Sequence, residues 1–220
     1  MELNEAVHGR RSIRAFLPDP VPRRIIEKIV AIARWAPSWG NTQPWEIVVA
    51  DEDKAKELAR AFEEEGKKGT NPRPDIQMPF EFPKIHKYRY VTLGKALFTR
   101  IGIERGDQEA RVQHYLNIYK FFGAPTVVYF VIDSRLNEPY SCLDIGSIGT
   151  TLCYLAYQEG LGTIYLAPSV HFPDIVKKVL DIPEDKKIVI GIGVGIPHPE
   201  APASLFRSER DPVENILRFA

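Results

Sequence analysis

The sequence is poor in cysteine and methionine, with two of each in 220 residues, and neither sign of charge is in excess. Lysine plus arginine and aspartate plus glutamate both number 29, so no global field favours nucleic acid or an anionic membrane. Any anion site has to be local. No apolar run approaches the roughly 18 residues that a membrane-spanning helix needs. There is no C-x-x-C pair and no pair of histidines at ligand spacing, so no metal pattern is present. Cys142 and Cys153 fall in one helix-patterned stretch, where they are separated by about 16 Å of rise, too far for a disulfide. The opening Met1-Glu2-Leu3-Asn4-Glu5 is acidic and lacks the basic and apolar regions of a secretion signal, so a reduced, cytoplasmic protein is the expectation. An acid–base dyad or activated nucleophile is also lacking. Gly146-Ser147-Ile148-Gly149 sits inside a helix pattern and misses the spacing of a nucleophile elbow.

What is there is an ordinary globular composition, 44% hydrophobic and 26% charged, enough for one sizeable core. The chain is organised around Ala36 to Trp45, where two prolines, Gly40, Ser38 and Asn41 enforce a loop between a helix pattern and the apolar run Glu46 to Ala50. This loop holds two of the three tryptophans, Trp39 and Trp45. It reads either as a connector whose tryptophans cap a core or as a cover for a flat ligand, with Ser38, Asn41 and Gln43 as hydrogen-bonding groups.

Upstream, Arg10-Arg11-Ser12-Ile13-Arg14 lacks helical spacing. Extended, it places Arg10, Ser12 and Arg14 on one face and Arg11 and Ile13 on the other. Guanidiniums flanking a hydroxyl suit a phosphate, and a solvated basic turn is the structural alternative. Residues 66–90 read as an excursion from the core. Phe80, Phe82, His86, Tyr88 and Tyr90 interleave there with Lys84, Lys87 and Arg89, which fits either a mobile lid or a nucleic-acid patch; zero net charge favours the lid. Helices are expected at about 92–104, 107–121 and 141–159, the last with small residues for a neighbouring helix. Thr126 to Ile132 reads as a strand buried on both faces. Gly191, Gly193 and Gly195 alternate within a strand pattern and precede Pro197, so they are no dinucleotide fingerprint. They predict close approach of a backbone or a flat ring. Pro197, Pro199, Pro202 and Pro212 stiffen a tail that, extended, reaches on the order of 50 Å, long enough to wrap a second subunit.

Taken in order, the Arg-Arg-Ser turn, the Pro37-Ser38-Trp39-Gly40-Asn41-Thr42-Gln43-Pro44-Trp45 loop, Gly160-Leu161-Gly162-Thr163 before a strand, the glycine strand and the basic tail resemble the nitroreductase family of FMN-dependent oxidoreductases. Gly94-Lys95-Ala96-Leu97 and Phe121-Phe122-Gly123-Ala124-Pro125 are similar to its nitrobenzoate-reductase-like branch. The resemblance spans nearly the whole chain. It implies one α+β domain over 1–220, with a mixed, mostly antiparallel sheet flanked by helices, an insert at about 66–90, and a C-terminal arm from about 197 exchanged in a homodimer. It implies hydride transfer from NADH or NADPH through FMN to a nitroaromatic, quinone or other electron-poor acceptor, with no membrane and no nucleic acid involved. Residue by residue it places Arg10, Arg11, Ser12, Arg207 and Arg210 near the phosphate and Arg14 at the flavin pyrimidine edge as electrostatic stabiliser. Tyr165, Leu166 and Ala167 fall beside the ring, and Pro37, Ser38, Trp39 and Asn41 come from the other subunit. His86, Tyr88 and Arg89 are candidates for substrate contact, or for a solvated lid surface. The alternatives are a dehalogenase or flavin-consuming enzyme of the same fold and, from another class, a non-catalytic nucleic-acid or protein binder using residues 80–90.

Overall fold

The computed structural model describes residues 2–79 and 81–220, so Phe80, first aromatic of the 80–90 segment, lies outside the described residues. Four strands form one sheet: β1 (Glu46–Ala50), β2 (Thr126–Asp133), β3 (Gly162–Leu166) and β4 (Lys186–Gly195), in the order β1-β2-β4-β3. Every strand pair is antiparallel, and the mixed character expected of the sheet reduces to a single parallel bridge between Ser12 and Thr163.

The β2 run is buried on both faces because its alternate residues enter two different cores. Val127, Tyr129 and Val131 join Ala55, Leu58 and Phe62 of α3 (Glu52–Lys68) and Val176 of α7 (Pro173–Leu180). Val128, Phe130 and Ile132 join Ile26, Ile29 and Ala33 of α2 (Arg23–Ala33) and Ile145, Ile148 and Leu152 of α6 (Glu138–Gln158). Each such side chain contributes about 1.5–3 kcal/mol through burial, so this strand is the mechanical centre of the subunit. No helix among the described residues is long and apolar enough to cross a membrane. Both cysteines lie on α6 as free thiols.

Two close approaches differ from expectation. The face of β4 bearing Gly191, Gly193 and Gly195 is filled by side chains: Ser169 and Tyr129 over the first, Ala124 and Leu166 over the second, Pro125 and Phe16 over the third. No flat ligand has room there. Gly149 of α6 accommodates not a helix but the phenol of Tyr165, whose oxygen lies 2.5 Å from where a Cβ would stand.

The 66–90 excursion also divides differently. α3 continues to Lys68, residues 69–79 and 81–83 are irregular, and α4 (Lys84–Arg100) begins eight residues before the expected helix start at 92. The tail is not one straight arm. α8 (Pro202–Leu205) interrupts it, and Ser204 Oγ donates to the Ala15 carbonyl at 3.0 Å, as His198 N does at 3.0 Å. Residues 212–220 at its end are all exposed, Ile216 and Phe219 by 73% and 88%.

Gly162 shows how tightly the N-terminal segment is fitted to β3. A Cβ there would stand 2.5 Å from Ile13 Cγ1 and 2.8 Å from Pro197 Cγ. Gly162→Ala is therefore expected to cost about 1–3 kcal/mol by overpacking. At roughly 2–4 °C per kcal/mol for a chain of this size, thermal denaturation should show a clearly lowered midpoint. An unchanged midpoint would mean that Ile13, and with it Ser12, is free to move.

Candidate functional site

The site is built on the outer edge of β3. On its inner side β3 pairs with β4; on its outer side the Thr163 carbonyl accepts the Ile13 N–H at 3.0 Å. Strand alternation turns the Tyr165 backbone N–H and C=O toward that same outer edge, where no strand follows. The bridge fixes the basic segment against this edge. Ile13 enters the core, 4% exposed, and its neighbours are turned outward.

An open cleft of about 290 Å³ results, lined by Arg10, Arg11, Ser12, Arg14, Arg207 and Arg210. Residues nearly two hundred positions apart in sequence thus meet because the tail is stitched to Ala15. Arg11 lines the cleft with the others rather than following Ile13; it lies in the short irregular link between α1 (Leu3–Gly9) and the bridge at Ser12. Val7 and His8 from α1, Leu93 from α4, Phe206 and Ser208 complete the walls. These five carry no sequence signal of their own; only their adjacency to the arginine motifs could have drawn attention to them.

The electrostatics are one-sided. Burial holds the Arg14 guanidinium below its ordinary pKa, and Nη1 donates to the Ser12 carbonyl at 3.2 Å. Among the described residues no carboxylate lies within ion-pair distance of Arg10, Arg11, Arg14, Arg207 or Arg210. Arg210 folds onto its own turn, donating to Ser208 Oγ at 2.8 Å and to the Glu209 carbonyl at 2.9 Å. His114, on α5 (Gln108–Tyr119), has its imidazole pKa lowered by burial and then by the Arg14 charge. Five guanidiniums without a carboxylate partner make the cleft locally cationic and suit an anion, and hydroxyls of Ser12 and Ser208 add neutral donors.

The other sequence candidates lie elsewhere. Tyr165 and Ala167 are exposed at the β3 edge, whereas Leu166 is 1% exposed and its side chain belongs to the core, leaving only its backbone. Its carbonyl already accepts from Ser169 Oγ at 2.7 Å. The Tyr165 hydroxyl sits 3.5 Å from Thr150 Oγ1, and burial pushes its pKa up to about 12. Pro37, Ser38, Trp39 and Asn41 do not line this cleft, and Trp39 is held against α6. Ser38 Oγ accepts from Gln43 N at 3.0 Å, closing the loop on itself, and Trp45 packs at the α2–α6 core. His86, Tyr88 and Arg89 also lie outside the cleft lining. Arg89 is paired with Asp211 of the tail, and α4 presents Leu93 instead.

The cationic cleft lies beside an open backbone edge, and similarity to known proteins places the chain in a class of enzymes. The chain belongs to the nitroreductase family, whose family profile matches residues 7–196. It is an oxidoreductase of that family. It is 30% identical over 220 residues to the 4-nitrobenzoate reductase of Pseudomonas putida, covering 99% of this chain and 95% of the relative. The solved FMN-dependent nitroreductase NfnB of Mycobacterium smegmatis, in complex with NADPH, superposes with a TM-score of 0.92 at 26% identity, covering 99% of this chain and 97% of that one. The iodotyrosine deiodinase of Nematostella vectensis is 25% identical over 227 residues, covering 98% of this chain and 74% of the relative.

Proposed function

We propose that the chain is a homodimeric, cytoplasmic FMN enzyme that reduces a nitroaromatic, quinone or similar electron-poor acceptor with NADH or NADPH. The observation that carries this reading is the convergence of Arg10, Arg11, Ser12, Arg14, Arg207 and Arg210 on one cleft in a chain of zero net charge. Its donor set fits FMN: a phosphate of nearly two charges answers the uncompensated guanidiniums, and the open Tyr165–Ala167 backbone offers donors and acceptors to a ring edge. Bound there, the flavin supplies the hydride chemistry, which accounts for the lack of a nucleophile or acid–base dyad in the protein. Arg10, Ser12, Arg207 and Arg210 would hold the phosphate, and Arg14, partly shielded from water, would place a fixed positive charge beside the ring. Leu93 and Phe206 supply apolar surface to the wall.

Second-subunit participation is supported by exposed apolar surface. Ile216, Leu217 and Phe219 in the tail, Trp35 and Trp39 near α2, and Leu143 on α6 are all more than half exposed. Residues 81–93 of α4 and its approach are exposed on every side, Leu93 included. Isolated helical turns of that length are marginal in water, so a second copy covering them is part of the reading. The Pro37–Asn41 loop would then serve the partner's cleft. Two thiols on α6 suit a reducing compartment.

The purified protein is expected to be yellow and to bleach anaerobically with NADH or NADPH. Protein that stays colourless after reconstitution with FMN would end this reading. Flavin that binds but is bleached by neither nicotinamide would favour the dehalogenase alternative, for which the deiodinase similarity speaks. Arg10→Ala and Arg210→Ala should each weaken FMN retention by roughly tenfold or more, as loss of one charge-assisted contact does. Equilibrium titration of stripped protein measures this, and unchanged affinity in both would undo the phosphate assignment. Steeply salt-dependent binding of single-stranded nucleic acid would instead support the binder reading of residues 80–90.

A further inference from the structure

The loop from Pro37 to Gln43 holds an unfavourable backbone. Gly40, Asn41 and Gln43 have φ of 55°, 56° and 45°, and two of these carry side chains in the left-handed region. Gln43 also precedes Pro44, a position biased toward extended backbone. Such conformations persist only where the surroundings over-determine them. Most of the loop's hydrogen bonds are internal: Asn41 N to the Ser38 carbonyl at 3.1 Å, Thr42 N to the Trp39 carbonyl at 3.1 Å, and Gln43 N to Ser38 Oγ at 3.0 Å. The bond from outside comes from α6. Asp144, 5% exposed, accepts the Trp39 N–H with both carboxylate oxygens, at 3.1 and 3.3 Å. One turn earlier on the same helix face, Tyr140 supports the Trp39 indole, ring centroids 6.0 Å apart.

Among the described residues no cation lies within ion-pair distance of Asp144, and Trp39 N–H is its hydrogen-bond donor. A buried, otherwise uncompensated carboxylate is an expensive group when an asparagine could accept the same bond. Its use is a stronger, charge-assisted hold on one backbone amide. We propose that Asp144 is a positioning residue: from α6 it fixes the Trp39 backbone so that the strained Pro37–Asn41 loop is already formed when it meets the flavin of the other subunit. This rests on the reading of the site given above. It assigns to α6 a control over ligand retention that passes through the loop and across the dimer.

The test compares Asp144→Ala and Asp144→Asn in the full-length dimer by amide hydrogen exchange and FMN dissociation. In Asp144→Ala the Trp39 amide should lose protection and FMN should dissociate faster, each by roughly tenfold or more. The rate of reduction per bound flavin should stay unchanged, because the loop contributes retention rather than chemistry. Asp144→Asn, which keeps one oxygen acceptor and loses the charge, should recover only part of both losses. If Asp144→Ala does not fold, Asp144→Glu, which keeps the charge and displaces the carboxylate by one methylene, carries the same test. Trp39 protection unchanged in the variant would overturn the clamp. Lost protection with unaltered FMN retention would overturn its role at the flavin. Wild-type protein that binds no FMN would instead sink the reading of the site, while the amide measurement would still decide whether Asp144 holds the loop.

Discussion

Arg14→Glu is expected to give a folded protein that purifies without flavin. In the wild type, Arg14 is partly shielded from water, and the groups sharing its cleft are the cationic Arg10, Arg11, Arg207 and Arg210. The mutual repulsion of the cluster is relieved when an anion enters the cleft. A glutamate at 14 reverses one charge, pairs with the remaining guanidiniums and offers them internally what the ligand offers from outside. At about 4 Å and an effective dielectric constant near 20, a unit pair is worth about 4 kcal/mol. Discounting that by half for solvent and relaxation, a change of two charges lowers affinity by roughly a thousandfold. Arg14→Lys keeps the charge and loses the planar fork, so roughly a tenfold loss is expected. Flavin absorbance of the purified variants, followed by FMN titration, separates these results. A normal flavin content in Arg14→Glu would show that the cleft is not the phosphorylated ligand's site.

How much of this was legible depends on what each residue meets. The run Thr126–Ile132 could be read as a doubly buried strand because both its faces are apolar, and both faces did find a core. The helix starting at Lys84 could not be read that way. Residues 84–93 are exposed on every side, and a helix with no buried face in its own chain presents no one-sided apolar stripe to read. The three β4 glycines announced a close approach, but period 2 does not say what approaches, and side chains of Tyr129, Leu166 and Phe16 did. At the site, Arg10–Arg14 and Arg207–Arg210 are recognisable as basic motifs. Their meeting is not written in either; it follows from Ser204 and His198 bonding to Ala15, visible only after folding. Family resemblance supplied that link, whereas Leu93, Phe206 and Asp144, which act through position alone, passed unnoticed.

The segment read as a mobile lid leads to the largest expected loss of stability. β4 extends beyond β3 at its N-terminal half, leaving an open edge, and Asp75 covers it: Oδ2 accepts the Ile188 N–H at 2.9 Å. The same oxygen lies 3.5 Å from Nζ of Lys177, whose side chain is 7% exposed. Glu184 approaches Lys177 at 3.8 Å but is 86% exposed, so water screens it. Nearby, Arg73 N donates to the His171 carbonyl at 2.8 Å, so residues 73–75 are tied to α7's approach and to β4. Asp75→Ala removes the close partner of a buried ammonium and orphans a strand N–H. Breaking a buried pair on one side costs about 3–5 kcal/mol, a fifth or more of a typical domain's about 5–15 kcal/mol. Urea denaturation should show the midpoint shifted accordingly with the slope unchanged. Lys177→Met in the Asp75→Ala background should recover part of the loss, because the uncompensated charge goes with it; the two substitutions then cost less together than their sum. A lid free to move makes the opposite demand. It would leave stability intact in Asp75→Ala and change only the KM for the acceptor. The two buried partners of Asp75 favour an anchored segment, which shifts any gating at the cleft from residues 69–79 to α4 and the tail that Arg89 and Asp211 hold together.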